Sequence, residues 1–72
     1  MIVLVTGATG FLGSRLIEKL DTLNYIGGII ATGRKIRKTH YIDSEKIKYI
    51  LGELSDNKFV NKITSEVDII IN

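Results

Sequence analysis

Thr6-Gly7-Ala8-Thr9-Gly10-Phe11-Leu12-Gly13 lies between an apolar run and a helical pattern, and these flanks decide the fold. Ahead of it, Met1 to Val5 is almost uninterrupted aliphatic, as in a strand covered on both faces within a parallel sheet. Behind it, Leu12, Leu16, Leu20 and Leu23 recur at helical spacing, and Ile17 widens the same face. Strand, glycine turn and helix follow one another directly, the context that gives a glycine motif meaning.

Each glycine has its own physical task. Gly7 lets the chain leave the strand in a conformation that a side chain hinders. Gly10 leaves room for a pyrophosphate against bare backbone, faced by the first N–H groups of the helix and the positive end of its dipole. Gly13, in the first helical turn, allows the helix to pack closely on the strand. The expectation is an anion site made from backbone.

The spacing departs from the general Gly-x-Gly-x-x-Gly fingerprint, because Ala8 stands where its first glycine would fall. Thr-Gly-x-x-Gly-x-x-Gly with an aromatic after the second glycine instead resembles the short-chain dehydrogenase/reductase superfamily. The stretch is most similar to its extended and atypical branches, the nucleotide-sugar epimerases, dehydratases and related reductases. The resemblance implies that Gly7, Thr9, Gly10, Phe11, Leu12 and Gly13 border a dinucleotide cofactor. The plainer alternative is a glycine-rich turn without ligand.

The chain has 72 residues, the size of one small domain. Folding at this size buries about 60% of the unfolded surface, and such a core seldom supplies more than ~3 to 5 kcal/mol. Cysteine and proline are absent, so no disulfide or thiolate metal site staples the fold and the unfolded chain keeps its entropy. Charged residues at 25% and apolar ones at 44% are the balance of a soluble globular domain. No apolar run approaches the ~20 residues that span a bilayer. Met1 opens the first strand without the basic region of a secretory signal, so a cytoplasmic location is the default expectation. A net charge of +2 is too small to argue for nucleic acid.

Asn24 to Gly28 breaks the helical periodicity and is read as the C-terminal cap region. Ile29 to Thr32 forms a second short strand, ending at Gly33. Roughly twenty residues beyond the glycine turn, a dinucleotide-binding fold places the group that reads the adenosine ribose. That position is Arg34. An acid there would bind the free 2'-hydroxyl of NAD, whereas a guanidinium matches the 2'-phosphate of NADP, with Lys35 adding charge. The resemblance agrees, since NADP-preferring members show arginine after the second strand. The alternative is an exposed arginine that touches no ligand.

Arg34, Lys35, Arg37 and Lys38 put four basic residues into five positions. No aromatic is interleaved to stack on bases, so a solvated loop is preferred to a nucleic-acid patch. Gly28-x-x-x-x-Gly33-Arg34-Lys35 superficially matches a P-loop, but it lacks the lysine and the Ser/Thr for magnesium, and its interior is a strand. Asp43 and Ser44 suggest a turn or short helical start. His40, without cysteine or a second histidine, reads as a surface residue, and no metal site is expected.

Ile47, Tyr49 and Leu51 alternate with Lys48 and Ile50 in a third, half-exposed edge strand ending at Gly52. Gly52-Glu53-Leu54-Ser55-Asp56 resembles the Gly-Asp-Leu-x-Asp that follows the third strand in the extended branch. By that resemblance Glu53 accepts a hydrogen bond from the adenine amino group and Leu54 covers the ring. Glu53 holds its carboxylate one methylene farther out, and a solvated loop acid is the plainer reading. Ser55 or Asp56 caps a helix from Asn57 to about Glu66, with Phe59, Val60 and Ile63 as its apolar face. Val67 to Asn72 reads as a fourth, buried strand.

The resemblance implies a partial Rossmann-like α/β fold: an open parallel sheet in the order 3-2-1-4 with right-handed crossovers and helices packed on it. It covers all 72 residues and corresponds to an N-terminal NAD(P)-binding half-domain, truncated before the catalytic region. Catalysis in the superfamily uses a Tyr-x-x-x-Lys pair, in which lysine lowers the tyrosine pKa. Here Tyr25, Tyr41 and Tyr49 are followed four residues later by Ile29, Glu45 and Glu53, so no catalytic residue is assigned. The apolar fourth strand is then an unprotected edge, and the expectation is a homo-oligomer or coverage by the remainder of a longer chain. Besides the segment of an enzyme, the alternatives are a free-standing dinucleotide-sensing module and a self-assembling structural half-domain.

Overall fold

The computed structural model describes residues 1–34 and 41–71. Its elements in chain order are β1 (Ile2–Val5), α1 (Phe11–Asp21), β2 (Gly28–Gly33), β3 (Ile47–Leu51), α2 (Asn57–Thr64) and β4 (Ile69–Ile71). The strands form one parallel sheet in the order β3-β2-β1-β4, the expected α/β arrangement. Val3 pairs with Ile29 on one side and Ile69 on the other, so β1 is the central strand. Chain order reverses there, between β2 and β4.

Burial explains why Met1 to Val5 carries no alternation. Val3, Leu4 and Val5 are all buried, with neighbouring strands on both sides. Around Val3 and Val5, Ala8, Ile17, Leu20, Ile26, Ile29 and Ala31 close the main core, while Leu4 is buried outside that cluster. At about 25 cal/mol per Å² of apolar surface, each fully buried aliphatic side chain contributes ~1.5 to 3 kcal/mol, so this small cluster supplies most of the driving force.

The inward face of α1 is narrower than the leucine spacing suggests. Ser14, Ile17 and Leu20 are its buried positions, while Leu12 is 81% exposed and Leu23 lies beyond the last turn. The cause is where the helix begins. With Gly10 as N-cap, Leu12 falls in the first turn, beyond the strand ends rather than over the sheet. Ser14 is tolerated inside because its Oγ donates to the Phe11 carbonyl at 2.9 Å.

The C-terminus of α1 is secured from a distance. Thr22 is the C-cap, and its Oγ1 donates to the Lys19 carbonyl at 2.7 Å. Lys46 Nζ donates to the carbonyls of Asp21 and Leu23, both at 3.1 Å, supplying a positive charge at the negative end of the helix dipole. Ser44 Oγ donates to Asp21 Oδ1 at 2.6 Å and adds a second tie. The segment before β3 thus docks on the helix end, and the Tyr41 and Tyr49 rings, 4.9 Å apart, hold the same segment against β3.

Of the two expected caps for α2, Asp56 serves, with Oδ1 accepting from the amides of Lys58 and Phe59. Only Ile63 of the expected apolar face is buried, and Phe59 and Val60 are half-buried. β4 is shorter than read and more open: Ile69 and Ile70 are exposed, because among the described residues only β1 pairs with it. Asp68 anchors the strand's start, accepting from the Ile2 amide at 2.7 Å.

Candidate functional site

The C-terminal ends of the four strands are tied together by backbone hydrogen bonds. Thr6 N–H donates to the Ile71 carbonyl, Ala8 N–H to that of Thr32, and Gly52 N–H to that of Gly33, at 3.0, 3.0 and 3.1 Å. The glycine turn therefore sits where the strand order reverses, the position at which open parallel sheets bind ligands.

The three glycines of the turn differ in what requires them. Gly7 has φ of +64°, a left-handed conformation that only glycine adopts without strain. Gly13 lacks space: a Cβ there would press into the Gly7 carbonyl oxygen and stand 2.8 Å from the Ala8 Cα. Gly10 has neither reason. Its backbone is extended, with φ −87° and ψ 176°, and a Cβ would meet only the Gly7 carbonyl oxygen at an ordinary 3.6 Å. Internal packing and conformation explain Gly7 and Gly13, whereas at Gly10, the N-cap of α1, neither requires glycine.

Two clefts flank this turn, and Gly7 lines both. The larger, about 460 Å³, is bounded by Gly7, Thr9, Thr32, Gly33, Arg34, Gly52, Glu53, Leu54 and Ser55. The smaller, about 240 Å³, is bounded by Val5, Thr6, Gly7, Leu12, Gly13, Leu16 and Ile71. The sheet topology thus brings Gly7, Thr9, Arg34, Glu53 and Leu54 to one side of the turn, and Leu12 and Gly13 to the other. Phe11 lines neither cleft; its exposed ring lies under the Arg15 guanidinium, 5.5 Å from the centroid. Lys35, Arg37, Lys38, His40 and Asn72 lie outside the described residues.

Thr32, Gly33, Gly52 and Ser55 line the larger cleft without having been recognised in the sequence as site residues. Thr32 carried a visible signal, a hydroxyl closing an apolar strand. It is 1% exposed, and its Oγ1 has no hydrogen-bond partner among the described residues. A buried hydroxyl in that state is costly unless something completes it. Gly33 is bare because a Cβ would collide with Thr9 Oγ1 at 2.5 Å, and Gly52 because one would strike the Phe59 ring at 2.5 Å.

The first turn of α1 leaves its amide donors to whatever lies beyond them. No residue in the first turn of α1 is acidic, so nothing of the helix competes for its N-terminal amides. Arg34 stands at the end of β2, its Nε 3.6 Å from Glu53 Oε2, with 83% and 59% of the two side chains exposed. Among the described residues, no group of three His, Cys, Asp or Glu is placed to hold a metal. Nor is any helix among them long and apolar enough to cross a membrane.

The profile of the NAD dependent epimerase/dehydratase family matches residues 3–72. The chain belongs to this family. It is accordingly an NAD(P)-binding segment of the epimerase/dehydratase type. The low-salt glycan biosynthesis protein Agl12 of Haloferax volcanii is similar, 27% identical over 77 residues that cover 100% of this chain and 25% of that relative. The chain spans about a quarter of that relative's length. No solved structure matches.

The residues present fit a dinucleotide on two counts taken from the geometry alone. Gly10 is bare where neither packing nor conformation asks for it, and Thr32 offers an uncompleted hydroxyl beside the larger cleft.

Proposed function

We propose that residues 1–72 are the N-terminal cofactor-binding segment of a reductase, epimerase or dehydratase and that they hold NADP in preference to NAD. The pyrophosphate lies on Gly10 and the first amides of α1, held by backbone donors and the helix dipole. The adenosine half occupies the larger cleft, with Leu54 against the adenine and Arg34, helped by Lys35, on the 2'-phosphate. The nicotinamide half extends past Leu12 and Gly13 into the smaller cleft. When bound, the cofactor supplies hydride chemistry; no residue of this chain is assigned a catalytic role.

The observation that carries the NADP preference is Arg34, set immediately after β2 on the wall of the larger cleft. A guanidinium paired with a phosphate contributes ~1.5 to 3 kcal/mol, roughly ten- to a hundredfold in affinity. Similarity to a glycan biosynthesis protein supports a sugar nucleotide as the substrate class of the whole protein. A cytoplasmic setting accords with this use. Calorimetric titration with NADPH and with NADH tests the reading: tighter binding of NADPH supports it, and equal or weaker binding rejects the preference.

A further inference from the structure

Packing alone does not explain a threonine at position 32. The side chain is 1% exposed, and its Oγ1 has no hydrogen-bond partner among the described residues. Strand pairing shows what stands beside it. Thr32 pairs with Ile50, and it shares a face of β2 with Ile30, which pairs with Leu4. The sheet neighbours on that face are thus aliphatic except Lys48, which is exposed. A valine would fill the same volume without leaving a buried hydroxyl unsatisfied.

The position gives the hydroxyl a use. Thr32 borders the larger cleft, and among the polar side chains that bound it, those of Thr9, Thr32, Arg34, Glu53 and Ser55, only Thr32 is buried. Its carbonyl accepts from the Ala8 amide at 3.0 Å, which fixes its backbone to the glycine turn. Rotation about χ1 exchanges the hydroxyl and the methyl, groups of similar size, so the hydroxyl can turn toward a partner seated in the cleft.

We infer that Thr32 is a ligand-binding residue, whose hydroxyl hydrogen-bonds to the adenosine half of the dinucleotide and is left unsatisfied in the free fold. The inference rests on the dinucleotide reading given above. A ligand pocket is mostly apolar and orients its occupant through a few placed polar groups, and a local packing rule broken at such a site is stability given up for binding. Adenosine is common to NADP and NAD, so Thr32 adds affinity for both without choosing between them.

The test compares the natural protein with Thr32→Val and Thr32→Ser, by melting without ligand and by calorimetric titration with NADPH, NADH and ADP. Thr32→Val should raise the melting temperature by roughly 4 to 8 °C, because it removes the unsatisfied hydroxyl. It should also weaken all three ligands by about tenfold, leaving the ratio of NADH to NADPH affinity unchanged. Thr32→Ser keeps the hydroxyl and loses the methyl, so it should melt lower than the natural protein and bind close to it. Thr32→Val binding every ligand as tightly as the natural protein, or weakening NADPH but not ADP, overturns the inference and leaves the dinucleotide reading intact. A loss of binding that follows the loss of stability in both variants assigns Thr32 to packing and overturns it equally. Binding of none of the three by the natural protein overturns both.

Discussion

Gly13 packs directly on Gly7: a Cβ on Gly13 would press into the Gly7 carbonyl oxygen and lie 2.8 Å from the Ala8 Cα. The turn and the first turn of α1 are therefore a single packed unit, and backbone rather than a flexible side chain is what a larger residue would meet. Gly13→Ala should destabilise the free protein by about 1 to 3 kcal/mol, the cost of overpacking a tight contact. For a domain of this size each kcal/mol lowers the melting temperature by roughly 4 to 8 °C. A scan by circular dichroism measures it, and an unchanged melt would mean that the contact relaxes at no cost.

Gly10 is predicted to behave in the opposite way. It is the N-cap of α1 in an extended conformation with open space around it, a position at which serine is favoured. Gly10→Ser should leave the free protein as stable as before, or slightly more so. The same side chain would fill the space reserved for the pyrophosphate. The variant should therefore lose the stabilisation given by NADPH, about 2.7 kcal/mol at a ligand concentration of ~100 times the dissociation constant. Retention of that shift would remove Gly10 from the binding surface.

Arg34 is exposed, so its interaction with a 2'-phosphate is open to screening. Raising the salt concentration from about 0.01 M to about 1 M shrinks the Debye length from ~30 to ~3 Å. The preference for NADPH over NADH should fall across this range, because the two ligands differ in the 2'-phosphate alone. A preference independent of salt would place its origin elsewhere than Arg34.

Ile69 and Ile70 leave an apolar strand edge open, with Ile70 at 56% exposure. Such an edge is a template for pairing, and we expect self-association of this chain through β4. Sedimentation velocity should show a concentration-dependent larger species, and Ile70→Lys should reduce it, as charged residues do on natural sheet edges. A monomer at every concentration would refute pairing through β4.

Much of this fold was legible because its signals are local. The aliphatic run of β1, the glycine turn and the alternation of Ile47 to Leu51 are each set by their own few residues, and the parallel order follows from the crossovers between them. The register of α1 was less legible. Leucine spacing marks a face, but the start of the helix at Phe11 puts Leu12 beyond the sheet and gives the centre of the face to Ile17 and Leu20. β4 reads as an interior strand because its isoleucines say nothing about whether a neighbour stands beside them. Arg34 and Glu53 could each be singled out, one by position and the other by resemblance, but their meeting depends on the pairing of β2 with β3. The tie from Lys46 to the end of α1 is equally a product of tertiary structure.

The most direct test of the account is amide chemical-shift mapping of the isotope-labelled protein during titration with NADPH. The largest changes are expected at Gly7, Gly10, Gly13, Arg34 and Glu53, along the C-terminal ends of the strands, with Gly27 and Lys46 near the opposite end of α1 little affected. Changes centred on that opposite end, or none at saturating NADPH, would contradict it.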